Sequence, residues 1–429
     1  MMATWCGPLW LGVTYSLAAA GVEPIATHFY LCAWAGLIVT FNQLIARGEG
    51  SSLLARVGDA GWVQIGFWSA VSWFFYELCN FRLQNWYYIL VEDEPLLRWL
   101  ATFVAFGTVF PGIFWIDHWL RTRWSSSVRI PPLQLSSNHR RVLVAGGVGF
   151  FVLWVADPAH FYPLVWGGTF LILASLNHRL GIDGILRQLE RGDLGPTLRL
   201  LIAGFIAGGC WEFFNFWARA KWIYTVPLFD ELKLFEMPLL GFVGFPPFAV
   251  ECACTYRLLV WARLCPPLGD FTQQGPPRSK IFRTVIPLLA LLFSHGVYDH
   301  MQRVTVTSTT PRVQQIRAFT QSDLKWFRQQ GVEHLTDLVG LGSERVWRQL
   351  EQDVEAVTVA RVRDTVELYM HEGIGHQFGN QLVAAGYHSL RDLEASDAAT
   401  VSERLSKSAG EGPAPRPSQV KVWFHRLGR

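Results

Sequence analysis

Nine runs of mainly apolar residues, each near the length that crosses a bilayer, constrain this chain more than any other feature. A helix rises ~1.5 Å per residue, so ~20 apolar residues cover a hydrocarbon layer of ~30 Å. The runs lie at 3–22, 25–46, 60–81, 96–116, 142–156, 159–177, 198–218, 238–262 and 282–298. The fifth is short, with Arg140 and Arg141 placed to snorkel at its end, and the ninth contains Pro287 and His295. The pattern predicts an all-α fold: a polytopic membrane helix bundle followed by a small soluble helical domain. A signal peptide does not fit, because no positive segment precedes the first run and the second follows at once.

Composition matters for where it changes. Residues 1–300 are apolar and rich in tryptophan, whereas 301–429 read as an ordinary charged segment, with the break at 299–303. All seven cysteines (Cys6, Cys32, Cys79, Cys210, Cys252, Cys254, Cys265) fall in the apolar part, which is not a disulfide framework. Cys252-Ala-Cys254 has no second pair to complete a metal site and reads as small buried side chains.

Charge bias sets orientation. One set of connections carries Arg47, Arg56, Arg121, Arg123, Arg129, Arg140, Arg141, Arg179, Arg187, Arg191, Arg199, Arg263, Arg278, Lys280 and Arg283. The opposite set is acidic, with Glu23, Glu92, Asp93, Glu94, Asp157, Asp230, Glu231 and Glu236. The basic face is expected to be cytoplasmic, with the N-terminus inside. If all nine runs span, the C-terminal domain lies outside; if one does not, it lies inside.

The apolar part reads as a duplication. Pro24-Ile-Ala-Thr-His28-Phe29-Tyr30 is echoed by Pro158-Ala-His160-Phe161-Tyr162, and Trp34, Gly36 and Arg47 match Trp166, Gly168 and Arg179. Phe75-Tyr-Glu77-Leu-Cys-Asn80-Phe81 is echoed by Trp211-Glu212-Phe-Phe-Asn215-Phe216. Trp86-Tyr-Tyr88 then matches Trp222-Ile-Tyr224, and Glu94-Pro95-Leu-Leu matches Glu236-Met-Pro238-Leu-Leu. Each copy holds four helices, an even number, so the copies enter the membrane in the same sense and a site is expected at their interface. The expected organisation is a first membrane repeat at 1–134, a second at 135–265 and a final membrane helix at 266–302. A linker at 303–318, a soluble domain at 319–405 and a flexible tail at 406–429 follow.

The matched polar residues are the candidate site. A carboxylate inside a membrane helix is costly and reads as functional, so Glu77 and Glu212 are the candidate acids. Asn80 and Asn215 follow three residues later on the same helix face, placed to donate to the carboxylates or to tie helices together. Trp86, Tyr88, Trp222 and Tyr224 offer an aromatic wall for a cation or a flat apolar ligand, or form an interfacial belt. Glu236 and the two histidines, His28 and His160, complete the ligand-binding candidates. Capping or interfacial hydrogen bonding is the plainer reading of the histidines, and a paired-histidine haem site is the alternative. The residues specify no cofactor. No phosphate loop, paired Asp-rich motif or metalloprotease pattern occurs.

An acid late in one helix (Glu77, Glu212), then Trp-x-Tyr, then Glu near Pro opening the next helix, resembles the small multi-helix lycopene cyclase type of carotenoid enzyme. That family is also built from paired repeats. The resemblance covers roughly residues 28–250 and implies acidic residues beside aromatics that drive proton-initiated cyclisation of a polyene. The family's paired glutamates follow proline, whereas Glu94 and Glu236 precede it. The chain also resembles a group of uncharacterised bacterial multi-pass membrane proteins, which implies a bacterial cytoplasmic membrane and no particular activity.

In the tail, Gly331-Val-Glu-His-Leu335-Thr-Asp337-Leu338 and Gly386-Tyr-His-Ser-Leu390-Arg-Asp392-Leu393 share one spacing, with a further hairpin at Glu372-Gly373-Ile374-Gly375. This resembles a tandem helix-hairpin-helix module. Such modules offer backbone N–H groups to nucleic-acid phosphates, but this one has no basic stripe, so a protein partner is the expectation and nucleic acid is not. Three functions remain open at this point. The repeats form a pocket that binds or transforms an isoprenoid or other lipophilic molecule amid membrane lipids; or the helices anchor a partner-recruiting domain; or the bundle is a transporter.

Overall fold

A computed structural model of the chain describes residues 5–124, 128–227, 232–407 and 413–427. Asp230 and Glu231, and 408–412 of the expected tail, lie outside those residues. In chain order the first half comprises α1 (Cys6–Ala19), α2 (Phe29–Glu49), α3 (Leu53–Leu83), strand β1 (Trp86–Ile89), α4 (Pro95–Gly107) and α5 (Val109–Arg123). The second comprises α6 (Ser137–Ala156), α7 (Pro158–Phe161), α8 (Leu164–Arg179), α9 (Ile185–Arg191), α10 (Gly195–Trp217) and β2 (Lys221–Tyr224). It continues through β3 (Lys233–Leu234), β4 (Met237–Pro238), a 3-10 turn (Leu239–Gly244) and α11 (Phe245–Trp261); α12 (Lys280–Val304) then leads to the C-terminal domain.

Each of the nine apolar runs is helical. Among the described residues six stretches are long and apolar enough to cross a membrane by length and composition: α2, α4 with α5, α6, α10, the turn with α11, and α12. The most apolar windows of α6 and α12 are only 11% and 17% buried, against 56% in α10. Helices that expose apolar surface in this way belong against lipid, with α10 inside the bundle.

Local sequence explains the breaks. Pro111 has no N–H and cannot continue a helix through residue 107, so α4 stops at Gly107 and α5 starts at Val109. Backbone groups inside a bilayer need partners. Ser69 of α3 supplies them: its hydroxyl donates to the Phe106 carbonyl (2.8 Å) and accepts from the Phe110 N–H (3.0 Å). Pro246 and Pro247 stand in the first turn of α11, where the missing N–H costs little. α1 packs on α2 and α6 on α8; α2 packs on α5 and α8 on α11; α5 against α10 joins the halves.

One end of the bundle is stitched by arginine. Arg199 of α10 reaches Asp117 of α5 (2.8 Å) and Asp270, and Arg121 bridges Asp270 (3.1 Å) and Glu49 of α2 (3.4 Å). At the opposite end β1 and β2 pair antiparallel, with Trp86 opposite Tyr224 and Tyr88 opposite Trp222.

The C-terminal domain sits on that strand-bearing end. It comprises α13 (Gln321–Gln330), α14 (Ser343–Asp353), α15 (Ala356–Met370), α16 (Gly375–Ala384), α17 (Leu390–Glu394), α18 (Ala398–Lys407) and α19 (Pro417–Arg426). The expected linker is not free. Residues 305–310 run parallel to β1: Tyr88 N–H donates to the Thr305 carbonyl (2.7 Å), Thr307 N–H to the Tyr88 carbonyl (2.9 Å) and Thr310 N–H to the Val91 carbonyl (2.7 Å). Threonines suit such an extended backbone. The expected flexible tail contains α19, whose Val420 and Trp423 are fully buried in the domain core.

Gly331 and Gly386 both adopt positive φ (73° and 90°), and Asp337 and Asp392 each accept two backbone N–H groups ahead of the next short helix. The segment that follows the first hairpin and the turn at Glu372 face the bundle, whereas Gly386 is exposed. Gly340 lies so close to Gly21 that a Cβ there would meet the Gly21 carbonyl oxygen at 2.8 Å, and Leu341 N–H donates to the Ala20 carbonyl (2.7 Å). Lys221 pairs with Glu372 (2.8 Å), Asp93 with Arg312 and His334, and Val422 packs with Tyr87, Ile89, Leu90 and Ile223.

Candidate functional site

The two asparagines build the site. At the end of α3, Asn80 donates to the Trp86 carbonyl (2.9 Å) while its side-chain oxygen accepts from Asn85 N–H (2.9 Å). At the end of α10, Asn215 donates to the Trp222 carbonyl (2.9 Å) and accepts from Trp222 N–H (3.0 Å). Placed by the sequence either to donate to the carboxylates or to tie helices together, each asparagine holds the backbone of the strand that follows its helix. The chain turns back after each helix and brings the strand backbone within hydrogen-bond reach of the asparagine.

That fold-back swings Tyr88 and Tyr224 onto the acids. Tyr88 donates to Glu77 Oε1 at 2.5 Å, and Tyr224 to Glu212 Oε1 at 2.9 Å. Glu77 Oε1 also accepts from the indoles of Trp73 (3.0 Å) and Trp86 (2.9 Å). Both glutamates have no exposed surface, and each leaves Oε2 without a hydrogen-bond partner. Burial first, and then the adjacent carboxylate, holds both phenols above the ordinary tyrosine range, so they remain hydrogen-bond donors.

In front of these pairs lies a cavity of ≈ 710 Å³, within the roughly 300–1,000 Å³ of small-molecule sites. Trp73, Trp86, Tyr88 and Phe106 of the first half line it with Trp166, Trp211, Trp222, Tyr224 and Phe248 of the second. Aromatic contacts cross the halves: Tyr76 packs tilted on Trp166 (4.1 Å between centroids), Trp34 edge-on against Trp211 (6.2 Å) and Trp73 tilted on Trp211 (5.0 Å). His28, Glu92, Arg98, Lys221 and Val306 also border the cavity, the last from the segment beside β1.

Of the residues singled out by sequence, Trp86, Tyr88, Trp222, Tyr224 and His28 line the cavity. Glu77 and Glu212 stand one layer back, behind the tyrosines, and Asn80 and Asn215 are structural ties. His28 bonds Glu92 (3.0 Å), whereas His160 is exposed and bonds Asp157 (2.8 Å), so the two do not face one another as haem ligands would. Glu236 is buried 3.4 Å from the ammonium of Lys221 and does not line the cavity.

Sequence reasoning passed over two groups. Glu251 of α11 is a further buried carboxylate, accepting from Thr255 (3.1 Å), and it has no copy in the first half to draw attention. Arg98, which has no counterpart in the duplicated motifs, borders the cavity. Among the described residues no cluster of three or more His, Cys, Asp or Glu side chains is placed to hold a metal ion. No family model, curated protein or solved structure matches the chain.

Proposed function

We propose that the chain is a multi-pass membrane protein whose two halves are copies of one four-helix unit, closed around a chamber for a long lipophilic ligand of isoprenoid or similar lipid type. The observation that carries this reading is the pair of Tyr–Glu hydrogen bonds set behind an aromatic cavity that both halves line. An apolar chain fits among the indoles, whose ring faces also stabilise positive charge developing on it. The tyrosine–carboxyl pairs keep exchangeable protons next to that chain, which is the equipment acid-initiated chemistry on a polyene needs.

In the proposed topology all nine apolar runs span, the arginine-stitched end faces the cytoplasm of a bacterial cell, and the C-terminal domain caps the outer mouth. Docking of Gly340, Leu341, His334 and Glu372 on the bundle supports the capping role over recruitment.

The test is to purify the full chain in mild detergent and extract its bound lipids, beside a variant with Ala105→Trp, which fills the chamber from α4. Enrichment of an isoprenoid over bulk membrane lipid in the wild type, lost in the variant, is the expected result. Identical lipid content in both would refute the chamber. Expression in a polyene-producing host then separates binding from conversion: an unchanged pigment profile, with Glu212→Gln indistinguishable from wild type, removes the enzymatic reading.

A further inference from the structure

Three basic side chains, His28, Arg98 and Lys221, border the cavity, and they differ in their partners. His28 bonds the Glu92 carboxylate, and Lys221 bonds Glu372 (2.8 Å) and Glu236 (3.4 Å). Arg98 in the first turns of α4 has no carboxylate partner among the described residues. Its Nη1 donates to the backbone carbonyls of Glu92 (2.7 Å) and Asp93 (3.1 Å), the neutral Tyr298 hydroxyl lies against the guanidinium, and its Nε is buried with no partner. The acids beside it in sequence are all committed elsewhere. Glu92 is held by His28 and by the Glu94 N–H (3.2 Å), Asp93 by Arg312 and His334, and Glu94 caps α4 through the Leu97 N–H (2.7 Å). A guanidinium at the wall of an aromatic cavity, with no acid to neutralise it, is costly unless an anion in the cavity meets its charge.

We propose that the chamber takes an anionic amphiphile, its apolar chain among the indoles and a carboxylate or phosphate-ester head on the Arg98 guanidinium. This rests on the lipophilic-chamber reading and adds the head group. A planar fork of donors matches either head in a way a lone ammonium does not. The backbone bonds through Nη1 fix the fork's direction, and the His28–Glu92 bond keeps the Glu92 carboxylate occupied.

The experiment measures quenching of the indole fluorescence of the full chain in mild detergent. The probes are geranylgeranyl monophosphate, geranylgeranoic acid and geranylgeraniol, which share a chain and differ in head. The proposal expects both anions to bind about ten- to a hundred-fold tighter than the alcohol, the margin of a charge-assisted hydrogen bond. Arg98→Gln should bring that ratio close to one, and Arg98→Lys should keep part of it. A phosphate that outbinds the carboxylate assigns a phosphate head; equal affinities assign a general monoanion site. An alcohol that binds as tightly as the anions, or an anion preference that survives Arg98→Gln, overturns the head-group site alone. Failure of all three probes, the alcohol included, overturns the lipophilic chamber with it.

Discussion

Tyr224→Phe should destabilise the bundle more than Tyr88→Phe, although the two residues occupy matched places. The difference lies in what remains on each carboxyl. Without the Tyr88 hydroxyl, Glu77 Oε1 still accepts from Trp73 and Trp86. Without the Tyr224 hydroxyl, Glu212 loses the hydrogen bond on Oε1 and keeps its orphaned Oε2, so neither oxygen is met. Losing one of several donors costs about 1 kcal/mol, and stranding a buried acid about 1.5–3 kcal/mol. Thermal unfolding is a poor readout, because a chain of this length shifts by only roughly 1 °C per kcal/mol when the usual entropy per residue is applied. Unfolding by sodium dodecyl sulfate in mixed micelles gives the free-energy difference directly. Tyr224→Phe is expected to exceed Tyr88→Phe by about 1 kcal/mol or more. Glu212→Leu combined with Tyr224→Phe should cost less than the two single changes added together, since both polar partners then leave at once. Equal costs, or a larger cost for Tyr88→Phe, would refute the argument that unmatched donor sets distinguish the two acids.

Other perturbations probe the packing of the whole. Gly340→Val should detach the C-terminal domain, because its first side-chain atom meets Gly21 backbone at 2.8–2.9 Å, and limited proteolysis should then cut 303–318 much faster. Burial raises the Asp93 carboxyl, but the bonds from Arg312 and His334 outweigh it and hold it below its usual value. Docking through Asp93 is therefore fully present above the ordinary carboxylate pKa of about 3.9 and is lost as pH falls through the lower folded value. Asp93→Asn should reproduce that loosening at neutral pH, read by the same proteolysis. Arg199→Met leaves Asp117 without its partner at the basic end and should cost about 3–5 kcal/mol by the same detergent unfolding, with part recovered by adding Asp117→Leu.

The sequence was legible wherever a local rule decides the outcome. Apolar length marks every helix of the bundle, and a positive-φ glycine followed by a capping aspartate marks both hairpins of the C-terminal domain. Long-range pairing was not legible. Asn80 looked like a partner of Glu77 because helix periodicity puts them on one face. Their relation changes once the chain reverses after Leu83 and β1 finds β2, with Trp86 opposite Tyr224 far along the chain. The Thr-rich stretch at 303–318 looked like a linker because nothing local reveals that β1 has an open edge to receive it. Pro417 opening a helix and Trp423 inside it were signals within the expected tail that the Gly, Pro and Ser around 406–418 obscured.

The unequal treatment of the two acids has a visible origin in the sequence. Four residues before Glu77 stands Trp73, whose indole donates to the carboxyl; four before Glu212 stands Gly208. A side chain cannot return to that position, because a Cβ at 208 would lie 2.2 Å from the ring of Phe245, which fills the space and stacks on Trp211 (6.3 Å). Phe245 opens α11 directly after the 3-10 turn, and both the phenylalanine and the turn's Gly241 and Gly244 border the cavity. One half thus uses its indole to immobilise an acid. The other uses a ring from a neighbouring helix to shape the chamber, and leaves its acid tied to the cavity through one tyrosine. If a proton is to reach a ligand from either carboxyl, the route with fewer competing donors is the one through Tyr224, which makes Glu212 the acid and Glu77 the fixed member of the pair.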